Sequence, residues 1–311
     1  MAEQPTEIRR VPPAPRRRRP RAPRSRIIAR RLVALAFILG LFVLMIGSAL
    51  ALIGGDGDEK ATPTTPVAAA PKPLRIIFPE GFTREQMARR IGEVNKIAKD
   101  KRKVTSRLSP ERYRALTAGA ALMPPKFEAE SPPPHLEGFL FPATYEFNGK
   151  TTTRQLVDTQ LAAFRKHWGR VNLNYARSRN LTPYDVLIIA SMVEKEVVAP
   201  EERPLVAAVI YNRLKAGMTL GIDATIRYGL NVPATESLRV SQLEDPNPYN
   251  TRIHSGLPPT PIASPGLASM QAAAHPAKVD YLFFVRKPDK VHHFFTNSQR
   301  EFDNYANANG Y

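Results

Sequence analysis

Two carboxylates, Glu194 and Glu196, stand near the end of an apolar run that extends from Thr182 to Val198. A carboxyl in apolar surroundings holds its proton toward neutrality. General acid catalysis requires that property. At about 100° per helical residue, Glu196 falls on the face of Ile189, Met192 and Val193, whereas Glu194 points about 160° away. The two therefore cannot share one task, and Glu196 is the candidate proton donor. Ion pairing of both glutamates with arginines at the helix end is the competing, purely structural reading, and position alone favours it.

Other chemistries find little support. The chain has no cysteine, which removes disulfides, thiolate metal sites and cysteine nucleophiles. It contains no Gly-rich phosphate loop, no G-x-S-x-G elbow and no H-E-x-x-H pair. His292 and His293 are neighbours on a predicted strand and point to opposite sides, so no metal site and no cofactor are expected. Ser255 follows His254, but adjacent residues rarely aim at each other as a dyad. What remains is an acid in an apolar setting with loops that carry tyrosine and asparagine. That pattern suits sugar chemistry. Glycoside hydrolysis usually needs two carboxylates, about 5 Å apart for retention or about 6.5–9.5 Å for inversion. One carboxyl suffices where the substrate supplies its own nucleophile.

The elements that must position these groups are marked in the sequence. Thr182 caps the central helix, Pro183 suits its first turn, and Asp185 completes a capping box. Ala199-Pro200 ends it. A second helix runs over about Glu201–Ala216, with Pro204 in its first turn and Gly217 as its stop. Gly221 to Gly229 sets Asp223, Thr225, Arg227 and Tyr228 among small residues. Pro246 to Gly266 reads as a long loop, a type more often functional than accidental. Leu267–His275 reads as a small-residue helix. Tyr281–Val285 and His292–Thr296 read as the two strands of a hairpin.

Upstream, Leu74–Phe78 is a strand candidate. Pro79-Glu80-Gly81 turns, and Thr83 caps a helix through Ile91, with Phe82 and Met87 placed as a hydrophobic staple. Lys96 to Lys103 reads as a basic, solvated face. Pro110–Leu122 is a further helix, and the prolines at 124–125 and 132–134 mark boundaries. His135 to Phe147 is aromatic and turn-rich, and Thr152–Trp168 is an amphipathic helix.

The front of the chain differs in kind. Of 311 residues and a net charge of +17, the first 31 residues carry eleven arginines against Glu3 and Glu7. Prolines interrupt that segment, which reads as a disordered basic tail. Leu32 to Ile53 carries no charge, and at 1.5 Å per residue it extends about 33 Å, enough to cross a bilayer core. Arginine before the span and acids after it predict a cytoplasmic amino end and an extracytoplasmic remainder. A cleaved signal peptide is the alternative. The arginines are then explained by topology and anionic lipid, with no nucleic-acid partner. Residues 54–73 form a Pro/Ala/Thr tether.

Several ordered blocks together resemble the endolytic murein transglycosylases of the MltG/YceG-like family. They are Ala190-Ser191-Met192-Val193-Glu194-Lys195-Glu196 with Glu202-Arg203, Ala208 to Leu214, Asp223 to Gly229, Pro248-Tyr249-Asn250-Thr251, and Gly256 to Ala263 with Pro265-Gly266. Leu74 to Ile91 resembles part of that family's LysM-like subdomain, shortened here by the tether.

The resemblance implies an α+β fold. It would consist of a single-pass anchor (32–53), a partial LysM-like α/β subdomain (74–134) and a mixed α/β catalytic domain (135–311) built on a buried helix pair. It implies that Glu196 protonates the MurNAc–GlcNAc glycosidic oxygen and then accepts the proton of the MurNAc 6-hydroxyl, which closes a 1,6-anhydro ring. Asn212, Asp223, Thr225, Tyr228, Tyr249, Asn250 and His292 are the expected sugar contacts. Loop-fixing hydrogen bonds and a buried tyrosine are the structural alternative for these residues. The expected partners are peptidoglycan strands, the membrane and peptidoglycan synthases. A water-using muramidase and a non-catalytic peptidoglycan-binding scaffold are the alternatives.

Overall fold

A computed structural model describes residues 73–124, residue 127 and residues 134–310. The basic tail, the 32–53 anchor and all but the last residue of the tether lie outside the described residues. Among the described residues, no helix is long and apolar enough to cross a membrane.

The elements in order are β1 (Leu74–Ile77), α1 (Arg84–Arg102), α2 (Pro110–Thr117), β2 (Thr144–Phe147), α3 (Thr153–Trp168), α4 (Asn174–Arg177), α5 (Pro183–Glu196), α6 (Arg203–Lys215), α7 (Asp223–Gly229), α8 (Val240–Leu243), α9 (Leu267–Ala274), β3 (Phe283–Arg286), β4 (His293–Thr296) and α10 (Gln299–Ala308). The fold is mixed α/β, with two antiparallel strand pairs, β1–β2 and β3–β4, among the described residues.

The central helix is α5. The Thr182 hydroxyl accepts from the Asp185 N–H, and the Asp185 carboxylate accepts from the Thr182 N–H at 2.7 Å. Nine consecutive residues apart from Asp185 are buried, from Tyr184 through Val193, each large aliphatic side chain contributing about 1.5–3 kcal/mol. They pack against α6, α7 and α9. The alanines of α9 allow close approach, and Ser191 pins the long loop to the helix. Its hydroxyl donates to the Ile188 carbonyl (2.7 Å) and accepts from the Ile262 N–H (2.9 Å). The helix stops where Val197 turns extended, just before Ala199-Pro200.

In the front part, β1 pairs with β2 from Leu74↔Phe147 to Ile77↔Thr144. This pairing crosses the boundary expected at 134/135. Ile76, Phe78, Tyr145 and Phe147 belong to the same apolar core as Leu187 and Ile189. Helix α1 runs past Ile91 to Arg102, because the basic stretch continues the helix on a solvated face. Its capping box joins Thr83 to Gln86.

Candidate active site

The carboxyl-terminal end of α5 opens onto a cleft of about 2080 Å³. The walls are the amino end of α1, the segment around α7, the β3–β4 hairpin and α10. Glu196 lines this cleft and Glu194 does not.

Part of the Glu196 side chain is accessible from the cleft, but the surrounding walls withdraw it from bulk water. That desolvation is the largest influence on its carboxyl and, with the charge of Asp223, pushes it up to about 7. Arg286, the Ala224 backbone N–H and Lys195 act in the opposite direction. A carboxyl in this range serves as acid and then as base near neutral pH.

Glu194 turns to the far side of α5. Its carboxylate accepts from the Gly266 N–H at 3.0 Å, at the start of α9. The Glu80 carboxylate lies close over Gly266, where a Cβ would push it aside. Burial raises the Glu80 carboxyl, the charge of Glu194 raises it further, and Arg203 counters both. This cluster joins α5 to the β1–α1 turn and to α9, behind the cleft.

The expected sugar contacts divide into two groups. Asp223, Tyr228 and Tyr249 line the cleft. Asp223 accepts two hydrogen bonds from Arg252, at 2.9 and 2.7 Å. The tyrosine rings meet edge-on at 5.0 Å, and the Tyr249 hydroxyl lies 2.9 Å from that of Thr260. Asn212, Thr225, Asn250 and His292 are not among the lining residues. Asn212 donates to the carbonyls of Val279 and Tyr281 at 3.0 and 2.9 Å, which fixes the approach to β3. Thr225 is buried and donates to the Ile222 carbonyl at 2.7 Å. Asn250 is buried and donates to the carbonyls of Leu243 and Asp245. Their polar groups are committed to the protein, so they position the walls.

His292 faces out, because neighbours on a strand alternate. It is half-exposed beside Asp289, whose carboxylate raises its pKa. His293 turns in instead. Its Nδ1 lies 2.6 Å from the buried Glu202 carboxylate, its backbone N–H donates to the same group at 2.9 Å, and the residue is part of the cleft wall.

Three lining residues escaped sequence reasoning. Glu137 is 2% exposed and accepts from the Arg84 backbone N–H at 3.0 Å and from the Tyr228 hydroxyl at 3.3 Å. Burial pushes its carboxyl up to about 7. Gly138 beside it has φ +85, and a Cβ there would meet Pro261 at 2.7 Å. The available signal was a single charge followed by glycine at the head of the apolar run Phe139-Leu140-Phe141. His293 owes its place to a carboxylate 91 residues away, for which no local signal exists. Arg286 pairs with His293 in the hairpin register, and an isolated strand arginine carries no signal of its own. Among the described residues, no group of three or more His, Asp or Glu side chains is placed to hold a metal ion.

Comparison with known proteins identifies the family. The YceG-like family model matches residues 60–308. An endolytic murein transglycosylase of Streptococcus pneumoniae R6 is 32% identical over 262 residues, which is 80% of this chain and 45% of the relative. An endolytic murein transglycosylase of Bacillus subtilis 168 is 36% identical over 152 residues, 49% of this chain and 42% of the relative. The chain thus spans less than half the length of these curated relatives. The crystal structure of a YceG-like protein from Listeria monocytogenes aligns with a TM-score of 0.58 at 29% identity, covering 75% of this chain and 76% of that one. The chain belongs to the YceG-like family.

Proposed function

We propose that the protein is an endolytic transglycosylase of peptidoglycan, held at the outer face of the cell membrane by residues 32–53. The observation that carries this reading is a carboxyl held near neutrality on the wall of an extended cleft, Glu196 at about 7. The names of its relatives point to the same activity.

Glu196 gives its proton to the oxygen of the MurNAc–GlcNAc bond as that bond breaks at the MurNAc C1. The MurNAc 6-hydroxyl then forms a bond to C1 and returns its proton to Glu196. Acid and base are one group, no water is consumed, and the carboxyl ends as it began. Asp223, Tyr228 and Tyr249 are the proposed sugar contacts, with the two tyrosine rings as a stacking wall. Cleavage within nascent strands would place synthases among the partners.

A water-using muramidase has one observation in its favour, the second carboxylate of Asp223 close enough to raise Glu196. Arg252 holds that carboxylate in an ion pair through two hydrogen bonds to one of its oxygens. Digestion of purified peptidoglycan by the full chain in detergent, followed by mass analysis, decides between the two. The expected product ends are anhydro sugars, lighter by one water than reducing ends. Reducing ends alone would overturn the transglycosylase reading, and intact glycan would favour a non-catalytic scaffold.

A further inference from the structure

The cations around Glu196 are mostly committed to protein partners. Lys195 donates to the Gly81 carbonyl at 3.3 Å. Arg252 holds Asp223. Arg213 donates to the carbonyls of Leu282, Thr219 and Leu220. Arg286 differs. It is exposed at the end of β3, lines the same cleft, and makes no hydrogen bond or ion pair with another described residue. Its register partner is His293, so the two share one face of the hairpin. The imidazole end of that face is fixed by Glu202, and the guanidinium end is free.

A free arginine here works against the proton donor. Its charge favours the ionised form of Glu196, whereas a general acid must keep its proton. The opposition disappears if an anion covers Arg286 whenever substrate is bound. Guanidinium forks match carboxylates in geometry and charge. Murein carries carboxylates on the peptides that hang from its muramic acid residues, one of which supplies the C1 of the scissile bond.

We propose that Arg286 is the docking point for a carboxylate of a peptide attached to the glycan, and that the enzyme thereby selects peptide-bearing over bare strands. This inference rests on the transglycosylase reading of the cleft. Docking also arms the acid. With Arg286 neutralised, Glu196 holds its proton to higher pH. Asp223, Lys195 and His293 keep their protein partners throughout, Arg252, the Gly81 carbonyl and Glu202 respectively.

The test compares kcat/KM of the full chain in detergent on peptide-bearing glycan and on glycan stripped of peptides by an amidase, across pH 5–9. Wild type should favour the peptide-bearing strands by about tenfold, the scale of one charged hydrogen-bonded contact. Arg286→Gln should lose most of that preference, and Arg286→Lys, with the charge but not the fork, should fall between. The alkaline limb of wild-type kcat should lie higher on peptide-bearing strands, and in Arg286→Gln the two limbs should coincide. Equal losses on both substrates, or a preference that survives Arg286→Gln, would overturn the proposal. If wild type cleaves both preparations alike, only the Arg286 proposal falls. If it cleaves neither, the transglycosylase reading falls first and takes the proposal with it.

Discussion

Glu194 and Glu196 are two residues apart on one helix, and their surroundings give them different chemistry. Glu196 faces a desolvating cleft, whereas Glu194 accepts a backbone N–H at the start of α9. Glu196→Gln cannot donate a proton, so glycan cleavage should fall by about 10²-fold or more. Its fold should persist, because the change removes a desolvated carboxyl. In Glu194→Gln the amide oxygen can still accept from Gly266, so most activity should remain. A dead Glu194→Gln beside an active Glu196→Gln would refute the helical-face assignment. Wild-type activity should peak near the value of about 7 given for Glu196. Glu137 lies in the same cleft and is also pushed up to about 7, so the pH profile alone cannot name the acid and the variants must.

The elements were legible in the sequence where local chemistry decides them. The Thr182–Asp185 box, the proline after α5 and the small residues of α9 each marked their element, and the structure forms all three. Two elements were less visible. Helix α7 has no side-chain cap at Ile222, so nothing local marked its polar residues as a helix. Helix α10 went unread although Ser298 accepts from the Glu301 N–H, a cap that stood in the sequence as Ser-x-x-Glu. Site residues were legible on α5, where periodicity fixes direction. They were not legible where long-range partners decide, as for Asn212, Asn250 and His293, because the sequence does not show which carbonyl or carboxylate will meet them. The joint between α5 and the 246–266 loop gives a test at this scale. Ser191→Ala would leave the buried Ile262 N–H without its acceptor, at a cost of about 1–3 kcal/mol. A urea titration should show that loss in midpoint with unchanged slope. An unchanged midpoint would mean that the hydroxyl does not hold the loop.

For the whole molecule, the core and the cleft both lie in residues 71–311, which form one compact unit. A span of 22 uncharged residues costs nothing to leave in a bilayer and a great deal to expose to water. The full chain should therefore stay with membranes through an alkaline carbonate wash. An extended Pro/Ala/Thr tether would add about 3 Å per residue, enough for the folded unit to reach strands above the membrane surface. External protease should then release a folded fragment close to Lys72–Tyr311. That fragment, expressed alone, should unfold cooperatively and cleave soluble glycan as the full chain does in detergent. Full-length protein found in the carbonate supernatant would sink the anchor. A fragment that fails to fold would show instead that residues before Lys72 belong to the folded unit.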